Sequence, residues 1–119
     1  MLCILFIFLN SDSLILNSDI RYKRIALSIA YWETGNYTSR AYKYKNNLFG
    51  FSTNKGVIKY RNKKASVIAY EKYEAKMIKK YNIKSEKEYL DRISKSYAKS
   101  NNRKLWKKKI LRNLKKVGV

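Results

Sequence analysis

Glu33 is the residue of this sequence best placed for acid–base chemistry. Tyr22, Ile25, Ala26 and Ile29 recur at spacings of three and four, forming one apolar stripe of a helix, and the next position on that stripe is Glu33. An ionised carboxylate is costly to bury on an apolar face. Its pKa therefore rises, and a carboxyl group that keeps its proton near neutral pH can give it to a leaving oxygen. The plainer alternative is that Glu33 sits at the helix end, where the wheel no longer matters, or pairs with a lysine. Composition closes most other chemistries. The 119 residues include no His and a single Cys, Cys3, which excludes Ser-His-Asp and Cys-His nucleophiles, His-based metal sites and an internal disulfide. Carboxylates, tyrosines, lysines and hydroxyls remain.

Glu33 opens a longer constellation. It is followed by Thr34-Gly35, then Ser39, then the block Asn46-Asn47-Leu48-Phe49-Gly50, with 12 residues between Glu33 and Asn46. Farther along stand Tyr60, Ser66-Val67, Tyr70, the segment Ser96-Tyr97-Ala98-Lys99-Ser100, and Trp106 with Lys109-Ile110.

These groups need elements to hold them. A helix is expected from Ile20 to about Thr34, with Ser18 or Asp19 as N-cap and Gly35 as its stop. Residues 36–50 read as loop or short turns. Residues 51–61 read as a hairpin turning at Asn54-Lys55-Gly56. A second helix runs from about Lys63 to Tyr81, with Val67, Tyr70, Tyr73, Met77 and Tyr81 inward, and Glu71 and Glu74 as surface ion-pair partners. A third, from Glu86 to Lys99, begins with a Ser85/Glu88 capping box and turns Tyr89, Leu90, Ile93 and Tyr97 inward. A fourth, from Arg103 to Val117, buries Trp106, Ile110, Leu114 and Val117 and exposes Lys104, Lys107, Lys108, Lys115 and Lys116. The expected fold is α+β and predominantly helical: one domain with a small hairpin.

Length and charge bound the rest. The chain has room for one core, and 45% hydrophobic residues are too many for a disordered tail. Lys and Arg total 28 against 8 Asp and Glu, a formal +20. Residues 1–34 are neutral, so all of the excess lies after Thr34. Such a surface suits a polyanion: nucleic acid, an anionic membrane face or acidic wall polymers. Lysines outnumber arginines 21 to 7, which weighs against base-edge readout. The apolar run Met1–Leu9 is too short to span a bilayer and lacks the basic start of a secretory signal. Residues 1–18 thus read as a degenerate signal or a packed extension, and 19–119 as the domain.

The block from Glu33 to Gly50 resembles the glucosaminidase domain of glycoside hydrolase family 73 (mannosyl-glycoprotein endo-β-N-acetylglucosaminidase-like). That family shows an Ala-rich helix ending in Glu-Ser/Thr-Gly, a following Ser, then Asn-Asn-Leu-Phe-Gly. The later segments at Tyr60–Tyr70, Ser96–Ser100 and Trp106–Ile110 are similar too, so the resemblance covers residues 19–117. It implies a lysozyme-like fold with a cleft between a helical lobe and a small β-lobe. It also implies Glu33 as general acid, Tyr97 as a substrate-orienting group, and Asn47, Phe49, Tyr60 and Tyr70 at the substrate, with Asn47 either fixing its loop or meeting sugar and Leu48 and Phe49 packing that loop against the cleft. Tyr42, Tyr44 and Phe51 offer further flat faces for sugar rings. The implied activity is a peptidoglycan hydrolase, at the cell wall, in the periplasm or outside the cell, or in a phage particle. Its partners are glycan strands and anionic wall polymers, with no cofactor, no metal and no specific nucleic acid. One departure stands out: no Asp or Glu occurs between Thr34 and Tyr70, so the second carboxylate of the usual two-acid scheme is missing. That leaves open the substrate's own N-acetyl group as nucleophile, a distant acid, or a domain that binds glycan without cutting it. A nucleic-acid-binding basic protein is the remaining alternative.

Overall fold

The computed structural model of this protein describes residues 11–98 and 101–117. The apolar run Met1–Leu9, Lys99 and Ser100 lie outside the described residues, as do the side chains of Lys115, Lys116 and Val117. Helix covers residues 11–16 (α1), Lys23–Glu33 (α2), Arg40–Lys45 (α3), Lys63–Tyr81 (α4), Glu86–Tyr97 (α5) and Arg103–Val117 (α6). Ser52–Thr53 (β1) and Gly56–Val57 (β2) pair antiparallel, Ser52 opposite Val57 and Thr53 opposite Gly56. The architecture is the mainly helical α+β arrangement expected, with one small hairpin.

Helix α2 is the axle. Ile25 through Ala30 are all buried, so the apolar stripe of the sequence has become a helix enclosed on every side. Its most extensive partner is α6. The helix begins at Lys23 rather than Ile20, and Tyr22 at its N-cap supplies no side-chain cap. The carboxylate of Glu74, on α4, instead holds the two amides that lead into the helix, accepting from Arg21 N (2.6 Å) and Tyr22 N (3.0 Å). Ser18 closes the preceding turn, its hydroxyl donating to Ile15 O at 2.5 Å and accepting from Ile20 N at 3.2 Å. Glu71 accepts from Asp19 N at 3.2 Å. Both glutamates thus bind backbone amides, which corrects their expected role as surface ion-pair partners; Glu74 is only 3% exposed.

Other local features also differ from the expectation. Helix α3 lies inside the stretch read as loop. It is capped by Ser39, whose hydroxyl accepts from Tyr42 N at 3.1 Å, and it buries no residue, so it left no apolar period to read. Helix α5 stops at Tyr97 because Ala98 is extended. Ser85 accepts from Glu88 N (3.2 Å) as a capping box requires, but Glu88 reaches back to Lys84 N (3.3 Å) instead of Ser85 N. Tyr81 turns outward under the guanidinium of Arg92, 3.9 Å from its ring. The packed domain also includes residues 11–18. Ile15 is fully buried in the core, the Tyr37 hydroxyl donates to Asp12 Oδ1 at 2.6 Å, and the hydroxyls of Ser11 and Tyr42 are hydrogen-bonded.

Candidate active site

The site is built from its floor upward. Asn46 ends α3 in the left-handed conformation (φ 53°). Asn47 then uses every capacity of its amide: Nδ2 donates to Phe51 O and Ile58 O (2.9 Å each), and Oδ1 accepts from Gly50 N (2.9 Å) and Phe51 N (3.2 Å). It is 1% exposed, so it rivets the loop to the hairpin and has nothing left for a sugar. Leu48 N donates to Ser66 Oγ at 3.0 Å, fixing the same loop to α4. Phe49 stacks on Tyr70 with ring centres 4.3 Å apart, and the Tyr70 hydroxyl is paired with that of Tyr89 at 2.7 Å. Phe49 and Tyr70 have no exposed surface. Burial therefore corrects the expectation that Tyr70 touches substrate, and for Asn47 and Phe49 it favours the loop-fixing and packing roles over contact with sugar: all three support the floor from below.

Above that floor lies a cleft of about 390 Å³ lined by Glu33, Gly50, Phe51, Ser52, Ile58, Tyr73, Ser96 and Tyr97. Glu33 is the last residue of α2. Thr34 fixes the turn after it, donating through Oγ1 to Ala30 O (2.6 Å) and accepting from Tyr37 N (2.8 Å). Gly50 presses directly on the acid. It has φ +73°, and a Cβ there would fall 2.9 Å from Glu33 Oε2 and 3.2 Å from Cδ. The glycine is thus required twice, by its backbone conformation and by the approach of the carboxyl group.

Burial holds the Glu33 pKa above the ordinary carboxylate range. The opposing influence is the indole N–H of Trp106, near enough to lower the value yet outside hydrogen-bonding geometry. Despite the +20 charge, Glu33 has no ion-pair partner among the described residues. Its position at a helix C-terminus adds no favourable dipole for a negative charge.

Tyr97 shares the cleft with Glu33. Burial, then the neighbouring tyrosines and the Glu33 charge, keep its hydroxyl protonated far above neutral pH. That hydroxyl has no hydrogen-bond partner among the described residues, and neither has the Tyr73 hydroxyl. The Tyr97 ring stacks on Trp106 (5.0 Å, 15°).

The structure therefore brings Glu33 and Tyr97 together. It leaves Tyr60 half-buried and outside the lining of the cleft. Tyr42 lies under Lys63 and Tyr44 projects into solvent, both also outside the lining, whereas Phe51 forms part of it. Gly50, Tyr73 and Trp106 had no role beside Glu33 in the sequence reading. Gly50 and Trp106 stand in recognisable segments, but no spacing rule says that residues 50 and 106 meet residue 33. Among the described residues Glu33 is the only carboxylate lining the cleft. Among the described residues no group of three His, Cys, Asp or Glu is placed to hold a metal ion, and no helix is long and apolar enough to cross a membrane. Comparison with protein-family models, curated proteins and solved structures returned no match.

Proposed function

We propose that this protein is a peptidoglycan hydrolase of the endo-β-N-acetylglucosaminidase type, with Glu33 as general acid. The observation that carries the reading is the Glu33 carboxyl group itself: desolvated, without a cationic partner, and fixed against Gly50 on the wall of an open cleft. Such a group holds its proton to higher pH than an ordinary carboxyl group and presents it to a glycosidic oxygen. Cleavage moves that proton to the leaving oxygen as the bond to the anomeric carbon breaks, and positive charge grows on the sugar ring. With no second acid in the cleft, the carbonyl oxygen of the substrate's own N-acetyl group is the nucleophile that closes on the anomeric carbon. Tyr97, whose hydroxyl is buried, lines the cleft with its ring and positions the sugar by packing. Water then opens the cyclic intermediate, and Glu33, now ionised, takes its proton. The basic surface concentrates the protein on anionic wall polymers.

The experiment is sugar release from purified peptidoglycan by the wild type and by Glu33→Gln. Release by the wild type and its loss in the variant support the reading; equal release by both removes Glu33 as the acid. The single carboxylate favours one second reading, a wall-binding domain that does not cut. Sedimentation of both proteins with insoluble peptidoglycan, without sugar release by either, identifies it. Binding that heparin abolishes and peptidoglycan does not compete points to nucleic acid instead.

A further inference from the structure

Behind the Tyr97–Trp106 stack lies a second groove, of about 470 Å³, lined by Trp32, Tyr97, Ala98, Asn102, Leu105, Trp106 and Lys109. It shares the Tyr97 wall with the cleft of Glu33. The two sites are also joined through the chain, since Trp32 immediately precedes the acid. The groove is unusual in what it leaves uncovered. Trp32 is 42% exposed and Leu105 55% exposed, although α2 is otherwise the most enclosed helix. Lys109 holds its ammonium group 5.1 Å from the centre of the Trp32 ring. A flat apolar wall, an amide side chain at Asn102 and one positioned cation form a site for a sugar ring bearing a negatively charged substituent. Among the described residues no carboxylate lines the groove to neutralise Lys109.

We propose that this groove is a second subsite of the cleft, binding a glycan unit through Trp32 and the carboxylate of its peptide substituent through Lys109. The proposal rests on the glycan-binding reading of the Glu33 cleft and specifies which glycan is preferred: one carrying an anionic peptide rather than a neutral polymer of N-acetylglucosamine. Charge complementarity selects this occupant, because Lys109 attracts a carboxylate and offers a neutral chain nothing comparable.

The test is calorimetric titration of the full chain carrying Glu33→Gln, which prevents turnover, with a disaccharide–peptide fragment of peptidoglycan and with the same fragment after its carboxylates are converted to amides. At low salt the acidic fragment is expected to bind about fivefold tighter, the order of one partly exposed ion pair. Lys109→Gln is expected to erase that preference while leaving affinity for the amidated form unchanged, and Trp32→Ala to weaken both. Both variants are surface changes, and circular dichroism checks that they fold. Equal binding of the two fragments, or a preference that survives Lys109→Gln, overturns the subsite and leaves the glycan reading intact. Binding of neither fragment overturns both. A self-association that Trp32→Ala abolishes, with no glycan effect at this groove, assigns it to a second copy of the chain and overturns the subsite.

Discussion

A desolvated glutamate lies at each end of α2, Glu74 of α4 at its start and Glu33 at its close, and the fold treats them in opposite ways. At the N-terminal end the Glu74 carboxylate receives two backbone amides, at 2.6 and 3.0 Å, and meets the favourable end of the helix dipole. At the C-terminal end Glu33 receives no backbone donor among the described residues and faces a cleft. Burial raises both pKa values, so a raised pKa alone does not separate them. What separates them is satisfaction. Glu74 is spent on the two amides that lead into the helix, whereas Glu33 remains available to a ligand.

The widest gap between them should appear in activity. Glu33→Gln is expected to lower sugar release about 100- to 10,000-fold, the range for loss of a general acid, with the fold retained. Glu74→Ala should leave activity per folded molecule unchanged and instead cost about 2 kcal/mol of stability in urea denaturation, because it leaves two amides and a helix start without an acceptor. Were Glu74→Ala to abolish activity in fully folded protein, the division of labour between the two ends would be wrong.

Gly50→Ala is the next test in size. It places a Cβ 2.9 Å from Glu33 Oε2 at a residue with φ +73°. The left-handed conformation costs a non-glycine residue about 1 kcal/mol, and the crowded carboxyl group must shift as well. Stability and sugar release should therefore fall together. A second glycine of positive φ that touches no acid provides the contrast: nothing lies within 4 Å of a Cβ built at Gly56 (φ +114°), so Gly56→Ala should affect stability alone.

The contrast between the helix ends also marks what was legible in the sequence. Glu33 could be found because it continues the stripe Tyr22, Ile25, Ala26, Ile29 of its own helix, a local pattern. The same logic located α4 and α6, whose buried faces repeat along one segment. The acceptor at the other end was hidden because its carboxylate comes from a residue 52 positions beyond Tyr22, and no local rule carries that distance. Helix α3 was hidden for a different reason, since it buries nothing. In the Asn46–Gly50 block the spacing and the structural roles of Asn47 and Phe49 were legible, but the approach of Gly50 to the acid was not. Asn47 and Phe49 form the floor, and Gly50, the smallest member, is the one that meets the acid.

The smallest effect concerns pH, and it sharpens the comparison at the cleft end. A carboxyl group whose pKa is raised by folding contributes stability while it is protonated. That contribution is complete below its unfolded value and is lost as pH rises through its folded one. Wild type should therefore lose stability relative to Glu33→Gln as pH climbs from the ordinary carboxylate range through the raised value of Glu33. The alkaline limb of sugar release should fall at that same raised value, because only the protonated acid can donate. The Trp106 indole N–H opposes the shift, so Trp106→Phe, which keeps an aromatic ring against Tyr97 and removes the donor, should move both transitions to higher pH. A limb that moves to lower pH would mean that the variant has opened the cleft to water and relieved the burial of Glu33. A stability transition that moves while the limb stays fixed would mean that the group limiting activity is not Glu33.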